Sequence, residues 1–180
     1  PEAVKSDKLK IRFLDSRKSI SFSNLSLYYL APFSTEENVE SVRKLDRKEW
    51  KITVAEKKLP AAQLERLKDG KTDTYVEVGL PPKGCDIIID TGKVQKIAGL
   101  IYTPVMEGGP GHIEMYDIRL SSDGKTWGNS VASGRFGNIV NNPVEQEVNF
   151  APVEARFVKF SAKKGAGGAR KAAVAELDLL

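Results

Sequence analysis

The chain has 180 residues, 41% of them hydrophobic and 29% charged, which suits a packed domain of ordinary size and excludes wholesale disorder. Its 28 Lys and Arg are interspersed with 24 Asp and Glu, and the net charge of +4 argues for solubility and against a phosphate-binding footprint. One cysteine, Cys85, and one histidine, His112, exclude an internal disulfide and leave almost no room for a Cys/His zinc site, while no apolar run approaches the roughly 20 residues that span a bilayer.

In chain order, Leu9, Ile11 and Phe13 alternate, a basic turn follows at Arg17 and Lys18, and Leu25, Leu27 and Tyr29 alternate again. Residues 31–46 are polar and acid-rich and read as a boundary. Two strands cannot bury a core alone. They either add to the main sandwich or end an upstream β domain. The second assignment places terminal strands and a linker at 1–44 and the main domain at 45–180. The first residues carry no signal-peptide apolar stretch, and the chain does not begin with Met, so a piece of a longer protein is expected.

Trp50 then opens a strand and is expected to pack. Leu64 and Leu67 predict one or two helical turns over 61–67. Ile87-Ile88-Ile89 is a β-branched run closed by Asp90-Thr91-Gly92, and the apolar run 97–102 is stopped by Pro104. Tyr116, Ile118 and Leu120 alternate with Asp117 and Arg119, the period of a half-buried strand. Ser122-Asp123-Gly124-Lys125 supplies a turn, and Trp127 after it is expected in the core. Val144, Gln146, Val148 and Phe150 share one parity, Val158 and Phe160 lie in the next run, and Leu177 and Leu179 close the chain. Short strands between Gly, Pro, Asn and Asp turns predict an all-β sandwich.

The basic, glycine-rich stretch 163–171 reads as a solvated hairpin loop. No aromatic residues interleave in it to stack on nucleic acid or insert in a membrane, so neither is an expected partner. No nucleophile motif surrounds His112 and no carboxylate pair forms a recognisable motif, so the fragment is not expected to be an enzyme.

Five segments are more informative together than singly. They are Asp69-Gly70-Lys71-Thr72-Asp73-Thr74, the strand ending at Asp90-Thr91-Gly92, Ile97-Ala98-Gly99-Leu100, Ser122-Asp123-Gly124-Lys125-Thr126-Trp127, and Ala175-Glu176. In this order they resemble the discoidin, or coagulation factor type C, domain and its bacterial glycosidase counterpart, carbohydrate-binding module family 32, over residues 45–180. The resemblance implies a jelly-roll β-sandwich, in agreement with the strand pattern. It also implies a structural calcium site, with carbonyls of Arg66, Lys71 and Ala175, the Thr74 oxygen, and the carboxylates of Asp69 and Glu176 as ligands. Calcium takes about six to eight oxygen ligands of such mixed kind. Gly70 permits the sharp turn, and the ion would tie an early loop to the final strand.

In sugar-binding members the resemblance implies a loop site built on a His, an Arg after a proline and an Asn five residues later. Here Glu77, Val105 (after Pro104) and Pro110 stand at those places, and Val76 replaces a Trp. The galactose pocket of the family is therefore not carried over, and His112 is read as leading into a strand. Tyr75, Glu77, Met106, Glu107, Phe136 and Asn138, the last with Asn141 and Asn142, remain as candidate ligand-binding residues; each alone reads as well as loop packing or a turn. Residues 134–143 resemble those of discoidin domains attached to bacterial fucosidases and hexosaminidases, and residues 11–29 resemble a strand pair ending a β-sandwich in such enzymes. The function implied is a non-catalytic carbohydrate-binding module of an exported multidomain glycosidase, its partners a glycan and its own upstream catalytic domain. Export rests on the family alone. The alternative is a structural spacer that has lost sugar binding.

Overall fold

The computed structural model describes residues 44–55, 58–107 and 109–180, all within the unit Ser41–Leu180. The strands expected over 1–44 lie outside the described residues, Lys44 apart. Among the described residues the domain has seven strands: β1 (Lys51–Val54), β2 (Val76–Gly79), β3 (Cys85–Pro104), β4 (Ile113–Ser121), β5 (Ser130–Arg135), β6 (Gln146–Gly165) and β7 (Lys171–Leu179). A single helical turn, α1 (Ala61–Leu64), runs into a 3-10 turn (Glu65–Leu67) between β1 and β2, where the sequence predicts it. Every pairing is antiparallel, in the order β2-β7-β3-β6-β4-β5, with β1 also on β3. Among the described residues no helix is long and apolar enough to cross a membrane.

Two strands are far longer than the sequence pattern suggests. The runs 87–89 and 97–102 belong to one strand of 20 residues, β3, and the run 144–150, from Gln146 on, meets the run 158–160 in another of 20, β6. Asp90-Thr91-Gly92 does not reverse the chain. It forms an irregularity at which the β3–β6 register shifts between Asp90 and Gln95. Side chains replace the lost ladder bonds. Asp90 Oδ1 accepts the Gly92 N–H at 2.9 Å, and the two Asp90 oxygens accept Arg156 Nε and Nη2 at 2.7 and 2.9 Å. The buried Thr91 hydroxyl lies 2.8 Å and 2.9 Å from the carbonyls of Lys93 and Arg156.

Such bulges bend a strand and sharpen its twist. The first part of β3 accordingly pairs with β1 and the end of β6, and its last part pairs with β7 and the start of β6. The result is two layers, β1-β3-β6-β4-β5 and β2-β7-β3-β6, in an all-β sandwich. Ile87, Ile89, Leu100, Ile118, Phe160 and Leu177 are fully buried in its core, with Trp50 at 2% exposure.

Trp127 departs from expectation. It stays half-exposed beneath Lys159, whose Nζ lies 4.5 Å from the ring centroid. Val158 and Phe160 point inward, so Lys159 between them points outward, and the turn after β4 delivers Trp127 to that outer face.

β7 is buried from Ala172 to Leu179. Val174, Leu177 and Leu179 face the main core, while Ala173 and Ala175 pack with Val105 and Tyr75 on the other side. The parity changes at Ala175, where the register with β3 slips: Thr103 faces Glu176 and Pro104 faces Val174. The slip turns Glu176 and Asp178 to the outer side of an otherwise apolar strand.

Candidate functional site

The 3-10 turn anchors itself through the fully buried Leu67 and leads directly into the Asp69 loop. Gly70 has φ +81°, a left-handed conformation that L side chains rarely adopt. This turn aims two successive amides at β7: the N–H groups of Gly70 and Lys71 donate to Glu176 Oε1 at 2.8 and 3.1 Å, although Gly70 and Glu176 are 106 residues apart in sequence. Asp69 Oδ1 accepts the Lys71 N–H at 2.9 Å, and the Thr74 hydroxyl donates to Asp69 Oδ2 at 2.9 Å, lying 3.4 Å from the Lys71 carbonyl oxygen. Ala175 is skipped in the β3 ladder and lies beyond the end of the β2 ladder, so its peptide group is left outside both. Arg66, in the 3-10 turn, precedes the loop.

A second set of contacts reaches β7 from the lead-in to the domain. Arg47 Nη1 donates to Glu176 Oε2 and lies 3.2 Å from Asp178 Oδ1. Lys44 Nζ donates to Asp178 Oδ2 at 2.8 Å. Neither Arg47 nor Lys44 is marked by any spacing in the sequence, and Lys44 falls in the stretch read as a linker. A shallow depression of about 510 Å³ opens over these ion pairs, lined by Lys44, Arg47, Lys68 and Asp178 among others.

The Asp69 loop meets Glu176 through the Gly70 and Lys71 amides, and both carboxyls depart from their ordinary values. Burial raises the Glu176 carboxyl above its ordinary value, and the contact with Asp69 raises it further, against the opposing pull of Arg47 and the Gly70 amide. Burial also pushes on Asp69, but the Lys71 amide, the Thr74 hydroxyl and Glu176 prevail and lower it. Asp69, Thr74, the Lys71 carbonyl and Glu176 converge as an all-oxygen donor set, and the Ala175 peptide lies beside it. That set fits a hard cation such as calcium and offers nothing to a soft one. Among the described residues no cluster of three or more His, Cys, Asp and Glu is placed to hold a metal, so only two carboxylates serve this set.

The candidate ligand-binding residues divide into two groups. Tyr75 is half-buried against Val105, Ala173 and Ala175. Glu77, on β2 opposite Ala173, pairs with Lys171 at 2.7 Å. Met106, 65% exposed, and the exposed Glu107 project from the turn that follows β3. His112 Nε2 hydrogen-bonds the Val105 carbonyl at 2.9 Å, and the Ala173 N–H donates to the Gly111 carbonyl at 2.9 Å, so both ends of the turn are pinned. A Cβ at Gly111 would stand 2.6 Å from the Lys171 carbonyl oxygen, which requires glycine there. Tyr75, Glu77, Met106 and Glu107 thus share one rim, next to the Ala175 end of the Asp69 loop.

Phe136 and Asn138 lie elsewhere. Phe136 takes the packing alternative and not the ligand-binding one. It is 6% exposed, stacks on Tyr116 with centroids 4.4 Å apart, and packs on Tyr102 at 5.5 Å, so its faces belong to the core. The Phe136 N–H bonds to the Glu114 carbonyl beside β4, and this holds the ring inward. Asn138 sits at φ 55°, and its Oδ1 accepts Asn141 Nδ2 at 2.9 Å, so its side chain closes a turn. The 163–171 loop forms a 3-10 turn, Ala166–Gly168, with Lys164 paired to Glu114 at 3.4 Å.

Comparison with known proteins gives the context. The F5/8 type C domain profile matches residues 51–177. A sialidase of Micromonospora viridifaciens is 34% identical over 93 residues, which are 52% of this chain and 14% of the sialidase. The C-terminal domain of a chitobiase from Bacteroides fragilis superimposes with a TM-score of 0.61 at 26% identity, over 77% of this chain and 97% of that one. A CBM32 module of Clostridium perfringens, solved in complex with GalNAc-beta-1,3-galactose, superimposes with a TM-score of 0.66 at 22% identity, over 77% of this chain and 99% of that one. The profile covers most of the chain, and the chain belongs to the F5/8 type C, or discoidin, domain family.

Proposed function

We propose that this domain is a non-catalytic carbohydrate-binding module of an exported multidomain glycosidase, clasped by one structural calcium ion. The observation that supports the carbohydrate reading is the family match together with structural relatives solved with sugars bound, among them modules of Clostridium perfringens with galactose and with GalNAc. The sugar site assigned here is the rim of Tyr75, Glu77, Met106 and Glu107. Tyr75 and the Met106 side chain supply apolar surface, and the carboxylates of Glu77 and Glu107 accept hydrogen bonds from hydroxyls. Such a module raises the local concentration of its enzyme on a glycan, with a gain that depends on tethering. Calorimetric titration against a panel of host and plant glycans tests this; binding to at least one glycan is expected, and binding to none removes the reading.

The calcium assignment is supported by the oxygen set around Asp69 and Glu176. Asp69, Thr74, Glu176 and the carbonyls of Arg66, Lys71 and Ala175 would hold the ion. Bound there, the ion supplies a cross-link between the loop and the last strand, and no reaction chemistry. A chelator is expected to lower the melting temperature and added calcium to restore it.

A specific observation favours a second reading, a spacer that packs against its own catalytic domain. Val105 is buried and Glu77 is paired with Lys171, so the rim offers few unpaired polar groups. Activity of the parent enzyme on soluble against insoluble substrate, with and without residues 45–180, separates the two. A loss confined to insoluble substrate supports the binding module, and an equal loss on both supports the spacer.

A further inference from the structure

We propose that Arg47 is a built-in counter-cation of the Glu176 junction, holding the fold together without metal and weakening the calcium ion's grip. This inference rests on the calcium reading above and goes beyond it by assigning a residue that sets the affinity.

The position of Arg47 is fixed by more than its ion pairs. The Leu45 N–H donates to the Leu179 carbonyl at 2.8 Å, the Trp50 N–H donates to the Arg47 carbonyl at 3.1 Å, and the Trp50 side chain is buried at 2% exposure. Main-chain bonds and an indole anchor therefore deliver the guanidinium to the outer side of β7. Arg47 Nη2 also lies 3.8 Å from where a Cβ on Gly70 would stand, so the guanidinium lies against the turn that carries Asp69. A guanidinium is charged at every relevant pH and matches carboxylate geometry as a fork.

Arg47 bridges two carboxylates of β7, Glu176 and Asp178, and Asp69 stands on the loop that meets Glu176. Lys44 and Arg47 serve Asp178, and Arg47 serves Glu176. Without the ion, Glu176 is therefore still paired, and only the Asp69 side lacks a fixed cation of its own. With the ion, a divalent charge and a guanidinium share the Glu176 carboxylate. Like charges on opposite oxygens of one carboxylate repel, so the same oxygen set binds calcium less tightly than it would without Arg47. The expected range is that of extracellular modules, with dissociation constants of about 10⁻⁴ to 10⁻³ M.

The test compares the wild-type domain with Arg47→Met, which removes the charge and keeps an apolar stem, and Arg47→Lys, which keeps the charge. Each is titrated with calcium chloride by calorimetry and melted in EDTA and in calcium. We expect Arg47→Met to bind calcium about tenfold more tightly, and its melting temperature to fall in EDTA and to gain more from calcium than the wild type gains. Arg47→Lys should stay near wild-type affinity. If Arg47→Met is unfolded in EDTA and folds on addition of calcium, its folding midpoint against calcium gives the affinity and supports the proposal. If the wild type binds calcium and Arg47→Met binds it with equal or lower affinity, the proposal is overturned while the calcium site stands. Unfolding of Arg47→Met in both buffers also overturns it, because Arg47 then acts as a structural pair indifferent to the ion. Absence of binding in all three proteins removes the calcium reading and this proposal with it.

Discussion

Along the outer side of β7 the Glu176 end and the Ala173 end are built on opposite principles. At Glu176 both carboxylate oxygens have partners, delivered by two segments from far apart in the sequence. At Ala173 the cover is Val105, Tyr75 and a turn whose tip residues, Met106 and Glu107, stand in solvent. The first arrangement is fixed before anything binds, as a structural ion requires. The second leaves side chains free to meet a ligand, at little expense to the fold. If the rim binds the sugar as proposed, stability and recognition are separable by mutation along this one strand.

The sharpest way to break this comparison is Glu176→Ala. It strands the Gly70 and Lys71 amides and the Arg47 guanidinium, and removing one partner of a buried pair costs about 3–5 kcal/mol. Urea denaturation measures it; a loss under about 1 kcal/mol would show that the junction is not a clasp. Asp69→Asn is milder because Asp69 is exposed. About 1 kcal/mol is expected from the weakened hydrogen bonds, together with loss of the calcium-induced rise in melting temperature. A variant that still responds to calcium would place the ion elsewhere.

Acid should act at Asp69 and also at two carboxyls away from both ends. Arg156 holds the Asp90 carboxyl below its ordinary value of 3.8, and the Thr126 and Lys125 amides hold Asp123 lower still. A carboxyl depressed in the fold adds stability that is complete above the unfolded value and is lost as pH falls through the folded one. Stability should thus be flat with respect to these groups above about pH 5 and decline below about pH 4, and Asp90→Asn should flatten that decline. An unchanged acid slope in Asp90→Asn would mean that Arg156 does not matter to the bend in β3. The smallest effect on the fold belongs to Met106→Ala, within about 0.5 kcal/mol of wild type, while glycan affinity falls; a stability loss above that would show the turn to be part of the core.

Much of this architecture was legible in the alternation of apolar residues. Tyr116, Ile118 and Leu120 read as a strand and form one, and the helical turn falls at 61–67. What misled was chemistry shared by two outcomes. Asp90-Thr91-Gly92 has the composition of a reversing turn, yet the same side-chain bonds serve a bulge inside β3, and only the partner Arg156, 66 residues away, decides between them. Phe136 follows a partly exposed strand and reads equally as a ligand contact or as packing; its N–H donates to the Glu114 carbonyl and its ring packs on Tyr116 and Tyr102. Asp69 and Glu176 are legible only through the family pattern, and the loop that carries Asp69 meets Glu176 through the Gly70 and Lys71 amides. Arg47 was invisible, because a residue on a lead-in segment bears no local mark of the strand it will reach.

The 20-residue strands β3 and β6 have one more consequence. Because each runs through both layers, neither layer owns a complete set of strands, and peeling one apart tears the other. Unfolding should then be all-or-none, without a half-melted species in which one sheet survives. In native-state hydrogen exchange the buried amides of Ile87 and Leu100, at opposite ends of β3, should open with the same free energy, as parts of a single cooperative unit.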